Sequence, residues 1–167
     1  MKIIRIIAAK DSISTFFLDP IRQNKKYFLS RGYKIIIHNG INCIPKGSDV
    51  LIILSKPMMK YLRNKEPVFS EQSPIIKKLK YSRKYNDKLI WMDISDSTGV
   101  THFEILKYVD LYLKKQLLKD MKLYDKEFYG GRIFTDYYHN KFRIVDKNPF
   151  LQFHPLDQKY AHKVGLS

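Results

Sequence analysis

The run Asp49-Val50-Leu51-Ile52-Ile53-Leu54 restricts the folds open to this chain more than any other segment. A strand with one face in water alternates apolar and polar residues. A strand that is apolar without interruption must be covered on both faces, and such strands belong to parallel sheets flanked by helices. Lys2 to Ala9 is a second run of this kind, rich in isoleucine, and Tyr33 to His38 and Lys88 to Asp93 read as two more.

The segments between these runs supply helices and turns. Asp11 to Ser14 reads as a turn. Thr15 to Ser30 fits a helix with Phe16, Phe17, Ile21, Tyr27 and Phe28 as its apolar members, and Pro20 kinks it or marks its true start. Arg31-Gly32 ends that helix, and Asn39-Gly40 is a turn. Pro57 to Glu71 fits no single element. Pro74 opens a helix that runs to Tyr85 with Ile75, Ile76, Leu79 and Tyr81 on its apolar face.

The order strand-helix-strand-strand-helix-strand predicts an α/β fold: a Rossmann-like open, mostly parallel sheet with helices on both faces. Past Asp93 the pattern weakens. Val109 to Leu113 reads as a further short strand, Leu117 to Phe128 as a segment that starts helical, and everything beyond Gly130 as loop-rich and aromatic. Lys163-Val164-Gly165-Leu166-Ser167 reads as one more incoming strand. The 167 residues fit a single domain, 1–167.

Composition narrows the class. Cys43 is the one cysteine, so no intrachain disulfide forms, and a small buried thiol is its expected role. The apolar start of the chain is broken by Arg5 and closed by Lys10-Asp11, unlike a signal peptide, and no run approaches the ~18 apolar residues that span a bilayer. A soluble cytoplasmic protein is expected. There are 31 Lys and Arg against 16 Asp and Glu, a formal net charge of +15. Such a surplus attracts polyanions. A genome rich in A and T also raises Lys, Ile, Asn and Tyr together, and the lysines here are spread along the chain.

Open parallel sheets hold ligands beyond the carboxyl ends of their strands. The loop after the first strand, Ala8-Ala9-Lys10-Asp11-Ser12, has neither G-x-G-x-x-G nor G-x-x-x-x-G-K-[ST], which argues against dinucleotide and ATP-type binding through those motifs. The fourth strand runs into Asp93-Ile94-Ser95-Asp96-Ser97-Thr98-Gly99. Carboxylates there can hold a metal, act as a base or bind sugar hydroxyls, or the cluster can simply form a turn and cap. Ser95 stands where a haloacid-dehalogenase-like phosphatase needs its second aspartate. His38, His102, His139, His154 and His162 show no metal-like spacing, so no metal site is expected. Tyr129, Phe134, Tyr137, Tyr138 and Phe142 interleave with Arg132, Lys141 and Arg143. Such rings stack on bases or sugars, or plug a loop onto the core.

Three segments carry a family likeness: Trp91-Met92-Asp93-Ile94-Ser95-Asp96-Ser97, Tyr108-Val109-Asp110-Leu111-Tyr112-Leu113-Lys114-Lys115-Gln116, and Tyr129-Gly130-Gly131-Arg132-Ile133-Phe134-Thr135-Asp136-Tyr137-Tyr138-His139. They resemble a group of bacterial polysaccharide-building glycosyltransferases, in which the Rossmann-like N-terminal domain of the two-domain glycosyltransferase B fold carries such patterns. The resemblance is close over Lys88 to Asp146 and general before that. It implies an acceptor-side domain, incomplete as a catalyst alone, with the donor-binding half supplied by a second domain or partner chain.

It further implies that Asp93 and Asp96 are acceptor-side acid groups and that Lys114 and Arg132 contact phosphate or the acceptor. No cofactor is implied beyond a nucleotide-sugar co-substrate. The implied partner is a glycan or lipid-linked acceptor, with the positive charge holding the domain near anionic lipids on the inner membrane face. The resemblance assigns no catalytic residue. Two other readings stand beside it: a basic nucleic-acid-binding module, and an inactive truncated remnant.

Overall fold

Among the residues described in the computed structural model (1–40, 42–58, 72–95, 98–131, 133–145 and 155–167), six strands pair side by side and all parallel. They are β1 (Lys2–Ala8), β2 (Tyr33–Asn39), β3 (Ser48–Leu54), β4 (Asn86–Asp93), β5 (Leu111–Lys114) and β6 (Val164–Leu166), in the spatial order β2-β1-β3-β4-β5-β6. The register sets Ile6 opposite Ile37 and Ile52, Ile53 opposite Trp91, and Asp93 opposite Lys114.

The apolar runs are continuous because successive side chains serve opposite faces. On one face Ile6, Ala8, Leu54 and Ile94 pack with Leu18 of helix α1 (Ser12–Gln23), joined by Ile13, Phe17 and Ile21. On the other, Ile7, Leu51, Ile53, Leu89 and Trp91 pack with Ile75, Ile76 and Leu79 of a later helix, Pro74–Tyr85, and with Phe103, Ile105, Leu106, Tyr112 and Tyr124. The expected α/β sheet with helices on both faces is what forms.

The long first helix is two. Asp11 caps α1, its carboxylate accepting from Ser14 N at 2.9 Å and Ser14 Oγ at 2.8 Å, so the polar residues read as a turn are the helix start. Asn24 then donates its side-chain amide to Pro20 O at 2.7 Å, competing with helix continuation. The chain resumes as α2 (Lys25–Ser30) and closes at Gly32, whose φ of +82° suits glycine. Helix α3 (Pro74–Tyr85) begins as read, with Pro74 in its first turn and Ser73 Oγ accepting from Ile76 N at 3.3 Å.

Side chains tie the amino ends of the strands. Asp49 accepts from Ile3 N at 2.6 Å. Buried Asn86 accepts from Ser48 N and Oγ at 3.1 and 2.6 Å and donates to Pro45 O and Ser82 O. Asp110 accepts from Leu89 N at 2.7 Å and from Arg83.

Three further expectations change. Cys43 is exposed in the irregular link between β2 and β3, where the neighbouring Ile44 and Pro45 supply the buried contacts instead. Within Leu117 to Phe128 only a short 3-10 turn, Met121–Asp125, forms. Buried Tyr124 pins this segment, its hydroxyl accepting from Leu118 N at 3.0 Å and donating to Thr98 O at 2.8 Å. Beyond Gly130, where loop was expected, stands helix α4 (Ile133–Phe142). Most of the stretch Pro57 to Glu71 lies outside the described residues.

Candidate functional site

The carboxyl ends of β4 and β5 hold a closed polar cluster. Asp93 ends β4, and Lys114, its register partner, ends β5. On β5 the two-residue period puts Tyr112 and Lys114 on the same face, toward the core. Asp93 and Lys114 are both 0% exposed. A buried charge persists only when paired and hydrogen-bonded, and each partner here is fully engaged.

Asp93 Oδ1 accepts from Ser95 N at 3.0 Å and Ser95 Oγ at 2.6 Å. Asp93 Oδ2 accepts from Tyr112 OH at 2.5 Å and Lys114 Nζ at 3.1 Å. Lys114 Nζ also donates to Ser95 Oγ at 3.0 Å and Val100 O at 2.7 Å, using the three donors of an ammonium. Tyr112 OH accepts in turn from His102 N at 3.1 Å, and the His102 ring lies 3.7 Å from Asp93.

The electrostatics follow from enclosure. Burial pushes the Asp93 carboxyl up, but His102, Lys114 and the hydrogen bonds of Ser95 and Tyr112 outweigh it and hold the group below its ordinary value. Burial also holds His102 below its ordinary 6.5, against the pull of Asp93 and Glu104, so the ring is neutral at neutral pH and Lys114 balances the Asp93 charge. Burial, then the charge and hydrogen bond of Asp93, raise the Tyr112 hydroxyl well above its usual range. These directions keep Asp93 a carboxylate and Tyr112 a neutral phenol at neutral pH. What these groups do is grip chain: Ser95, Val100 and His102 are all bonded to the cluster, so the loop after β4 is clamped at both ends. Ser55 Oγ adds a bond from Ile94 N at 3.2 Å.

Of the four residues expected to face an acceptor, Asp93 and Lys114 thus meet inside this cluster, with no polar atom at the surface. Asp96 and Arg132 lie outside the described residues. Tyr112, Ser95 and His102 are not among the expected acceptor contacts, although Ser95 and His102 bear on the phosphatase and metal readings. The Leu111-Tyr112-Leu113-Lys114 alternation gives no signal of the cluster, because it would turn the leucines inward and Lys114 to water, whereas Tyr112 and Lys114 are the buried pair.

The third likeness segment stands apart. Gly130 takes φ +65°, and the chain turns into α4. Thr135 Oγ1 donates to Tyr129 O at 2.6 Å, Asp136 Oδ1 accepts from Tyr129 N at 2.9 Å, and the Tyr129 and His139 rings stack at 3.8 Å. The aromatic side chains do not plug a loop onto the core: Phe134, Tyr137, Tyr138 and Phe142 are 48–54% exposed.

Among the described residues no three His, Cys, Asp or Glu side chains gather as a metal would need, and no helix is long and apolar enough to cross a membrane. Compared with family models, curated proteins and solved structures, the chain matches none.

Proposed function

We propose that this chain is a glycosyltransferase-type acceptor domain for surface polysaccharide or glycan synthesis, completed as an enzyme by a donor-binding domain or partner. The observation that carries the proposal is the pairing of two of the likeness segments at the carboxyl edge of a parallel sheet, Asp93 of one against Lys114 of the other. Open α/β sheets place ligands at that edge. In this reading the buried trio of Asp93, Tyr112 and Lys114 positions the loop of residues 94–102, while Asp96 and Arg132 make the direct acceptor contacts.

Titration of the 15N-labelled chain separates the roles. Glycan or lipid-linked acceptors are expected to shift amide signals within residues 94–102, and nucleotide sugars are not. Shifts from nucleotide sugars with none from any acceptor would overturn the reading. The acceptor-induced shifts should disappear in Asp96→Ala and Arg132→Ala.

A further inference from the structure

Helix α4 carries its large apolar residues on the wrong side for a core element. Phe134, Tyr137, Tyr138, Lys141 and Phe142 follow the i, i+3, i+4, i+7, i+8 spacing of a single helix face, and that face points to solvent. Ile144 and Val145, just past the helix end, are exposed as well. The opposite side holds Thr135, Asp136 and His139, engaged with Tyr129 and Ile144. The helix is therefore fixed by its polar side, and its aromatic face is preformed.

The rings make one patch. Tyr138 and Phe142 stack at 5.8 Å, Tyr137 meets them edge-on at 5.5 and 6.3 Å, and Lys141 Nζ sits 5.1 and 5.3 Å from the Tyr137 and Phe142 rings. Arg143, the residue after the helix, is a second exposed cation. The one carboxylate within residues 133–145, Asp136, is bonded to Tyr129 N and Asn140 Nδ2, each at 2.9 Å.

We infer that this face of α4 is a docking surface for an anionic lipid bilayer, lying in the interfacial plane with its rings in the headgroup boundary and Lys141 and Arg143 on acidic headgroups. Tyrosine and phenylalanine beside lysine and arginine are the side chains that such an interface retains, and the chain's +15 charge adds long-range attraction. Other occupants fit less well. Base stacking needs open ring faces along a groove, whereas these rings pack on one another on a convex helix. A second copy would bring a second +15 charge against the first. The inference rests on the α4 surface alone and needs no sugar chemistry.

Co-sedimentation tests it, using the full chain with phosphatidylcholine vesicles containing or lacking phosphatidylglycerol. The chain is expected to pellet with anionic vesicles and not with neutral ones. F134S/Y138S/F142S should lower that partition about tenfold or more, since interfacial binding scales with buried apolar area. Circular dichroism of this variant should match the parent, because the replaced side chains are exposed. K141Q/R143Q should weaken binding and flatten its salt dependence. The inference is overturned if the serine variant binds as the parent does, if neutral vesicles bind equally, or if no vesicle binds. It is equally overturned if a single-stranded RNA oligomer, and not the vesicle, is what the serine variant ceases to bind. None of these outcomes touches the acceptor-induced shifts at residues 94–102, so the two proposals fail separately.

Discussion

The clamp at the ends of β4 and β5 and the helix α4 are opposite solutions to placing unusual side chains. The clamp takes charges, which belong in water, into the core and satisfies every one. Helix α4 takes rings, which belong in the core, and leaves them in water. A buried charge is retained only where its partners are arranged around it, so each member depends on the others. Half-exposed rings bury less, and removing them is expected to leave the fold intact. High mutational cost therefore marks where the chain is held together, and low cost combined with unusual chemistry marks where it meets something else.

The sharpest way to break the contrast is to remove one charge from the clamp. Lys114→Ala strands the Asp93 carboxylate in the core and is expected to cost about 3–5 kcal/mol in urea unfolding. Adding Asp93→Asn with Lys114→Met should recover much of that loss, because a neutral, well-filled replacement removes the uncompensated charge. A Lys114→Ala loss below about 1 kcal/mol would mean that the cluster is not closed.

Acidity probes the same cluster more gently. His102 is held neutral by burial, with Asp93, Glu104, Tyr112 and Lys114 around it. Below its ordinary 6.5 the unfolded chain takes up a proton that the folded ring resists. Stability should therefore fall as pH drops from about 6.5, by no more than about 1.4 kcal/mol per pH unit for that proton. His102→Asn should flatten this slope in thermal melts recorded from pH 7 to 5. His38, lowered by burial and then by Arg5, remains in the variant and leaves a residual slope. Asp93, depressed below 3.8, stabilises the fold at higher pH and loses that contribution only as pH falls through its lower folded value.

A smaller and local effect belongs to the α4 module. Gly130→Ala asks an L-residue to take φ +65° and brings its Cβ to 3.0 Å from Thr135 Oγ1. A cost of about 1–2 kcal/mol is expected, confined to residues 129–145. It should appear as faster amide exchange in α4 with β1 to β5 unchanged, and exchange that rises throughout the sheet would join the two regions. The smallest effect is expected on the exposed face itself. Phe134→Ser or Tyr138→Ser alone should move global stability by no more than about 0.5 kcal/mol in urea unfolding.

Much of this architecture can be read directly from residue order. The runs at Lys2, Tyr33, Asp49 and Lys88 are apolar on both faces, a local property that parallel pairing satisfies and few other arrangements do. Pro74 after Ser73 announces a helix start in the same local way. Helix α4 was legible but passed over: Phe134, Tyr137, Tyr138, Lys141 and Phe142 sit at helical spacing, yet Gly130-Gly131 and the density of aromatics read as loop. Leu117 to Phe128 misled for the converse reason: its composition suits a helix, and the hydroxyl of one buried tyrosine holds it open.

Residue order alone therefore specifies the main strands, the start of α3 and the parallel sheet, since each follows from side chains within a few residues of one another. The start of α1 at Ser12 is not among them, because Asp11 to Ser14 reads as a turn. Only the tertiary structure decided what Asp93 and Lys114 do. They are separated in the chain by a loop and brought into register by β4 and β5, and their burial, which no sequence window contains, turns two charged side chains into a clamp. The same holds for α4: the aromatic stripe is written in the residues, but whether it faces core or solvent is set by the side of the helix that Tyr129 holds.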